Sequence, residues 1–547
     1  MCKVEREVKV MKKRVMSMLL ALSMLSGCLV GCGSDKTESA DKGEKVTLTV
    51  GIPQNMSVTD YDDNTLTKHL EETLNMDIEF EYFSSDASEY TKQLTLICSA
   101  GEKLPDVLWG FTGLARNTMN QFGEDGYFVD LTELIEEHAP NYKKRIKEVS
   151  KEERKIIVSR GTNAKDGCFY GMPTYTTSTV ADYMQNMMAI NQTWLDAVGM
   201  TAPKNVDELY NVLKAFKEKD PNGNGQTDEL PILGVDIALY IINAFVYYDA
   251  TNNFNVTDGK VWDPVTTDEY RQAMIYLNKL CKEGLFNNLN LTAKQSDIRT
   301  LISGEGKTAK VGIWCGHGSR QTNTNTEVLD QYVGLDVLGD ATGRGGYGVR
   351  EPNYLVYAGF ITKDCKNQEA AMRFLDAFYT DEIATWLRHG EKGVDWEEGE
   401  GESYYRTKSH IKVINGQAYF EGNVTWASTG TTWMTPENNL AIAASGNDRD
   451  AEVGRICLEN FDIMTKFKRP EELAVYLIYS DEEQDVKDKV EGTYDSYVRE
   501  ARSLFINGTL DPNNDNDWNT YLKTVEEAGG SELLKVYQSA YDSTYKK

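Results

Sequence analysis

The stretch Val46-Thr47-Leu48-Thr49-Val50-Gly51-Ile52, read with the residues that follow it to Tyr82, decides the fold. Val46, Leu48 and Val50 alternate with Thr47 and Thr49, the period of a strand with one buried face. Leu66, Leu70 and Leu74 then recur at helical spacing, one stripe of a helix. Ile78, Phe80 and Tyr82 alternate with Asp77, Glu79 and Glu81, a second strand. Strand, helix and strand in this order make a βαβ unit, which predicts a mostly parallel α/β sheet. A helix from Tyr90 to Ala100 and a short strand from Pro105 to Trp109 extend it. Ligands on open sheets of this kind bind beyond the carboxyl ends of the strands. Trp109 stands at such an end.

Outward from this unit, Val206, Leu209, Leu213 and Phe216 mark one further amphipathic helix. Met372, Leu375, Phe378 and Tyr379 mark another, between Glu369 and Leu387. The C-terminal segment reads as helices carrying Phe505, Trp518, Tyr521, Leu534, Tyr537 and Tyr541. The acidic, glycine-rich stretch Glu397 to Glu402 reads as a surface loop. No internal repeat is visible. A chain of 547 residues exceeds what one hydrophobic core supports and divides into at least two domains.

The N-terminus reads as an export signal. Lys12, Lys13 and Arg14 precede an apolar run from Val15 to Leu25, too short to span a bilayer. Leu25-Ser26-Gly27-Cys28 and Leu29-Val30-Gly31-Cys32 both resemble the lipobox of bacterial lipoproteins, whose cysteine receives the lipid. Cys32 is favoured, with Cys28 as the alternative, because Gly33-Ser34-Asp35 looks like the start of a tether. Residues 1–32 are thus expected to be a lipoprotein signal peptide. Residues 33–45, nearly free of apolar side chains, are expected to be a flexible tether. The expected location is the outer face of the cell membrane. The net charge of −27 argues against a nucleic-acid partner, which needs a basic surface. Cys98, Cys168, Cys281, Cys315, Cys365 and Cys457 show no metal-ligand spacing and read as small hydrophobes.

Several segments together resemble the family 1 extracellular solute-binding proteins, the sugar-binding lipoproteins of ABC importers. They are Gly101 to Val107, Gly126 to Leu131, Asp166 to Pro173, Trp194 to Gly199 with Pro203 and the helix to Phe216, Gly304 to Gly316, and Ala358 to Asp364. The larger alginate- and oligosaccharide-binding members are the most similar. The resemblance implies a periplasmic-binding-protein type II fold, two α/β lobes joined by hinge crossovers, with extra C-terminal helices. It places crossovers near 174–182, 303–310 and 361–366. The expected division is 46–175 plus 308–363 for the first lobe and 176–307 plus 364–547 for the second. It implies a monomeric, non-enzymatic receptor that closes on an oligosaccharide or sugar and delivers it to ABC permease subunits.

Two sites stand out. Asp220-Pro221-Asn222-Gly223-Asn224-Gly225-Gln226-Thr227-Asp228-Glu229 carries oxygen side chains at the spacing of the first half of an EF-hand loop, with glycine at the turn. The last ligand position falls on Pro231, so Glu229 is the substitute carboxylate. A structural Ca²⁺ is expected on Asp220, Asn222, Asn224, Asp228 and Glu229, with the carbonyl of Gln226. A similar loop binds calcium in the alginate-binding proteins that the chain resembles. Asp511, Asn513, Asp515 and Asp517 make a second acidic turn, without the glycine.

The other site is the sugar cleft, where flat aromatics and a few polar groups are needed. The candidates are Trp109, Tyr175, Trp314, Trp396, Trp426 and Trp433, with Arg320 and Asp395 as hydrogen-bonding partners. Asp60 and Asn64 are similar candidates after the first strand. The rival readings are a receptor for a peptide or cationic solute, an extracellular carbohydrate-active enzyme, and a rigid surface adhesin. Against the enzyme, there is no G-x-S-x-G or H-E-x-x-H motif and no metal-ligand spacing among the five histidines.

Overall fold

Val46–Pro53 and Met76–Phe83 form strands β1 and β2, and in the computed structural model they pair in parallel along their whole length, from Val46 beside Met76 to Pro53 beside Phe83. The helix Thr65–Leu74 connects them and buries Leu66 and Leu70. It starts where the Asn64 side chain accepts from the Leu66 N–H and stops at Asn75 in the left-handed conformation. The expected βαβ unit is therefore present. The structure describes residues 45–56, 58–163, 165–176, 186–235, 237–248, 253–317, 325–342, 346, 355–400, 411–414, 423–426, 430–439 and 479–545, with isolated positions at 456, 459, 462, 463 and 477. The signal, lipobox and tether readings, Arg320 and Cys457 lie outside these residues.

The remaining strands, in chain order, are β3 (Val107–Trp109), β4 (Met172–Thr176), β5 (Asn186–Asn191), β6 (Leu230–Gly234), β7 (Asn255–Thr257), β8 (Lys260–Trp262), β9 (Val311–His317), β10 (Tyr332–Gly334), β11 (Leu355–Ile361), β12 (Trp396–Glu398), β13 (Ile411–Val413) and β14 (Trp433–Met434). Two sheets organise them. The first has the order β14-β4-β11-β3-β1-β2 and the second β10-β5-β9-β6. Each is the centre of its own hydrophobic core. The first core joins Leu48, Val50, Leu66 and Leu108 to Phe360, Leu375, Trp386, Trp426 and Trp433. The second joins Ile190, Trp194, Leu213 and Phe216 to Ile313, Trp314, Phe505, Trp518 and Tyr541. Two separate cores make two α/β lobes.

The expected lobe boundaries need correction. Residues 308–317 and 325–342 belong to the second lobe, because β9 lies between β5 and β6 and β10 pairs with β5. The helices Gln368–Ala377 and Asp381–His389, with Trp426 and Trp433, belong to the first, because they bury Phe374, Leu375, Ile383 and Trp386 and both tryptophans in its core. The crossovers expected near 303–310 and 361–366 thus lie inside single lobes. The chain passes between sheets after Thr176, between residues 342 and 355, and again after Asn439.

The C-terminal helices Asp481–Asn507, Asp515–Glu527 and Gly530–Tyr545 complete the second lobe. Asn278, on the helix Asp268–Lys282, donates to the Phe505 carbonyl at 2.7 Å, and Tyr521 donates to the Val265 carbonyl at 3.1 Å. Among the described residues no helix is long and apolar enough to cross a membrane. Cys98, Cys168, Cys281, Cys315 and Cys365 are free thiols, all but Cys281 buried.

Candidate ligand cleft and loop site

Strand direction locates the cleft. β2 and β3 run parallel to β1, and β11 runs antiparallel to both β3 and β4, so β4 points the same way as β1. Pro53, Phe83, Trp109 and Thr176 therefore end at one side of the first sheet. Leu355, where the chain returns, pairs with Tyr175 at that same side. In the second sheet β6 is parallel to β9, and β5 enters antiparallel with Asn186 beside His317. The crossovers thus leave and enter both sheets at the strand ends where open α/β sheets bind ligands. The space between these ends is the candidate cleft.

Most of the predicted ring contacts are not in it. Trp109 is fully buried, tilted on Phe378 at 5.0 Å and edge-on to Trp426 at 4.9 Å. A Cβ at Gly430 would come within 2.5 Å of its indole, so the Gly430 backbone lies directly against the ring. Trp426 is fully buried and donates its indole N–H to Thr67 Oγ1 at 2.9 Å. Trp433 packs between Tyr175 and Tyr379. Tyr175 is buried and donates to Glu153 Oε1 at 2.5 Å. Trp314 is fully buried near Tyr332 in the second core. These five are corrected from ligand contacts to core rings. Trp109, Tyr175 and Trp314 lie on internal strands, where either direction of an alternating side chain leads into packing, whereas Trp433 is buried on the edge strand β14 and Trp426 outside any strand.

Asp395 and Trp396 organise a local turn. Asp395 Oδ2 accepts the Glu391 N–H at 2.7 Å, and the Trp396 indole donates to the Gly390 carbonyl at 3.0 Å. Asn64, besides capping its helix, donates to the Thr425 carbonyl at 2.8 Å. Asp60 Oδ1 accepts the N–H groups of Asp62 and Asp63. Sequence pattern does not single out one exposed ring near the cleft end: Tyr82, 46% exposed, one residue before the end of β2. Its alternation with acidic residues reads as the core face of an internal strand. β2 is in fact the edge of its sheet.

The 220–229 loop curls on itself. Asp220 (φ 45°), Gly223 (φ 68°) and Gly225 (φ 74°) all take left-handed conformations. Asp220 accepts from the Gly225 N–H at 2.9 Å, Asn222 from the Asn224 N–H at 3.0 Å, and Asn224 from the Gln226 N–H at 2.7 Å. Asn224 Nδ2 donates to Asp228 Oδ1 at 3.0 Å. Asn222 Nδ2 reaches the Ala309 carbonyl at 3.4 Å, tying the loop to the approach to β9. Glu229 Oε1 is buried and has no hydrogen-bond partner among the described residues. Burial, then the charges of Asp220 and Asp228, push its carboxyl above the usual range.

This donor set fits a hard cation. Three carboxylates and two amides surround one short turn, and an amide presents oxygen in place of nitrogen by a half-turn of its terminal torsion. Among the described residues no three His, Cys, Asp or Glu side chains already converge on one point. The loop mixes carboxylate with amide oxygen instead. The turn at 511–517 differs: Asp511 and Asp517 accept backbone N–H groups, and Asp515 pairs with Arg271 at 2.7 Å.

Comparison with known proteins follows the same lines. Residues 63–385 match the profile of the bacterial extracellular solute-binding proteins. The chain is 25% identical to lipoprotein LipO of Bacillus subtilis, over 98% of this chain and 100% of that one. It is 25% identical to the fructooligosaccharide ABC transporter substrate-binding protein FusA of Streptococcus pneumoniae, over 94% of this chain and 95% of that one. FusA has been solved in complex with kestose, with TM-score 0.71, 22% identity, and coverage of 91% of this chain and 99% of that one. It has also been solved as an EF-hand mutant with fructo-nystose, with TM-score 0.70, 21% identity, and coverage of 91% and 99%. A human-milk-oligosaccharide (HMO) binding solute-binding protein of Bifidobacterium longum infantis matches with TM-score 0.72, 23% identity, and coverage of 92% and 99%. The fold of these structures is the type II solute-binding fold, and this chain shares it.

Proposed function

The chain belongs to the bacterial extracellular solute-binding protein family, and we propose that it is the receptor of an ABC importer for oligosaccharide. The observation that carries this reading is the match, over both lobes, to a relative named for fructooligosaccharide. The crossovers at the ligand-binding ends of both sheets support a mechanism of hinge closure. The ligand bridges the two lobes, and differential affinity for the closed form shifts the population toward it. The receptor then presents the closed shape to the permease subunits. No step of chemistry on the sugar is assigned to the chain. It acts as a monomer, held at the membrane by lipid on Cys32 (or Cys28) after signal cleavage.

A structural Ca²⁺ at the 220–229 loop is part of this reading. Asp220, Asp228 and Glu229 would hold it by carboxylate, Asn222 and Asn224 by amide oxygen, and Gln226 by its carbonyl. The ion neutralises three clustered carboxylates and fixes the loop between the helix Val206–Glu218 and β6. The orphaned, buried Glu229 Oε1 supports this assignment.

Thermal unfolding against an oligosaccharide panel, with and without EDTA, tests the proposal. A ligand that binds only the folded state raises the midpoint with concentration. A rise with one glycan class is the expected result. No rise with any glycan, or turnover of a glycan by the purified protein, would sink the receptor reading.

A further inference from the structure

Tyr82 is the one described aromatic ring that is both strongly exposed and placed at the cleft end of the first sheet. It is not an isolated surface ring. Phe80 stacks beside it at 6.3 Å with 12° between the planes, and Tyr61 tilts against both, at 5.3 Å from Phe80 and 5.6 Å from Tyr82. Phe80 meets Trp426 edge-on at 5.4 Å, so the ledge is rooted in the core. Tyr61 belongs to the loop after β1 and is fixed there, accepting the Asn55 N–H at 3.0 Å. Partial burial, then the carboxylates of Asp62 and Asp60, push the Tyr82 phenol above the usual tyrosine range. Both carboxylates are exposed, and the Asp60 side chain is held by the N–H groups of Asp62 and Asp63.

A flat ring rooted in the core, beside the held carboxylate of Asp60 and the exposed carboxylate of Asp62, matches what a sugar ring needs: an apolar C–H face to cover and hydroxyls to satisfy. We propose that Tyr82, with Asp60 and Asp62, forms an outer subsite that binds one ring of an oligosaccharide whose other rings occupy the cleft. This deepens the carbohydrate reading and rests on it. The subsite adds affinity only for chains long enough to reach the edge strand, so it sets a length preference rather than the sugar class.

The test is calorimetric titration of the protein and of Tyr82→Ala, Tyr82→Phe and Tyr82→Trp with ladders of fructo-, galacto- and galacturono-oligosaccharides, from disaccharide to hexasaccharide. In the ladder that binds, wild type gains affinity with length. Tyr82→Ala loses about tenfold for the longest chains, as expected for uncovering one sugar face. It stays within about twofold of wild type for the shortest chain bound. Tyr82→Phe and Tyr82→Trp retain the length gain, because the platform remains. Equal loss at every length, or no loss at any, overturns the subsite while leaving the receptor reading intact. Absence of binding by wild type to every ladder overturns both. Should Tyr82→Ala fold poorly, Tyr82→Trp decides: a lost length gain in a folded protein that still carries a flat ring overturns the proposal.

Discussion

Replacing Asp263 with asparagine should flatten the dependence of stability on acid. Asp263 sits beneath the C-terminal helices, with Oδ1 accepting the Val265 N–H at 3.1 Å and Oδ2 accepting the Tyr494 hydroxyl at 2.7 Å. Burial pushes its carboxyl up to about 6, against the hydrogen bonds from Tyr494 and Val265 that pull it down. A carboxyl raised in the folded state binds its proton more tightly there than in the unfolded chain. Its contribution to stability is fully present below the unfolded value and is lost as pH rises through about 6. Between pH 7 and pH 5 one such group gains about 1.3 kcal/mol on acidification. The amide introduced by Asp263→Asn would keep the acceptor for the Val265 N–H and donate to the Tyr494 hydroxyl, so the fold is retained. Urea unfolding of wild type and Asp263→Asn across this window is the assay. Wild type should gain about 1 kcal/mol more than the variant on going to pH 5. Parallel slopes would refute the assignment of an ionised, buried carboxylate at this position.

Three further outcomes follow from the other sites. EDTA should lower the unfolding midpoint, and added Ca²⁺ should restore it, worth about 2.7 kcal/mol at a hundredfold excess over the dissociation constant. In Asp220→Asn/Glu229→Gln that response should shrink or vanish, and an undiminished response would move the ion elsewhere. Trp109→Phe and Trp314→Phe should lower stability, by roughly 1–3 kcal/mol each, while leaving sugar affinity unchanged in titration. A loss of affinity without loss of stability would return those rings to the cleft. Cys32→Ala should release the protein into the medium, read by fractionation of cells, and continued membrane association would assign the lipid to Cys28.

Some of this was legible in sequence because the signals were local. The period of Val46, Leu48 and Val50, the four-residue stripe of Leu66 and Leu70, and the second alternation fixed β1, its helix and β2 within one short window. The 220–229 loop is likewise a single turn, held by hydrogen bonds between residues a few positions apart along the chain. The lobe boundaries were not legible in the same way. Val311 to Cys315 reads as a buried strand, but nothing in its own residues says which sheet it enters. That was decided by partners far along the chain, β5 and β6, and by Phe216, whose ring leaves no room for a Cβ at Gly312.

The aromatic assignments failed for a related reason, and the failure points to where recognition belongs. A tryptophan at the end of a strand satisfies a sequence rule for cleft residues, but its face depends on what covers the sheet. Trp109, Trp426 and Trp433 are roofed by the helix Gln368–Ala377 with the residues after it and by the 430–432 segment, so their area is committed to stabilising the first lobe. The end of β2 is not roofed in this way, although the other edge strand, β14, keeps Trp433 buried. The same alternation that buries Ile78 leaves Tyr82 exposed near the end of β2, where the strand reaches the loop after β1. Buried tryptophans therefore supply the rigidity of this lobe, and an exposed tyrosine rooted on them through Phe80 supplies a surface rigid enough to hold a sugar ring without paying again for its ordering.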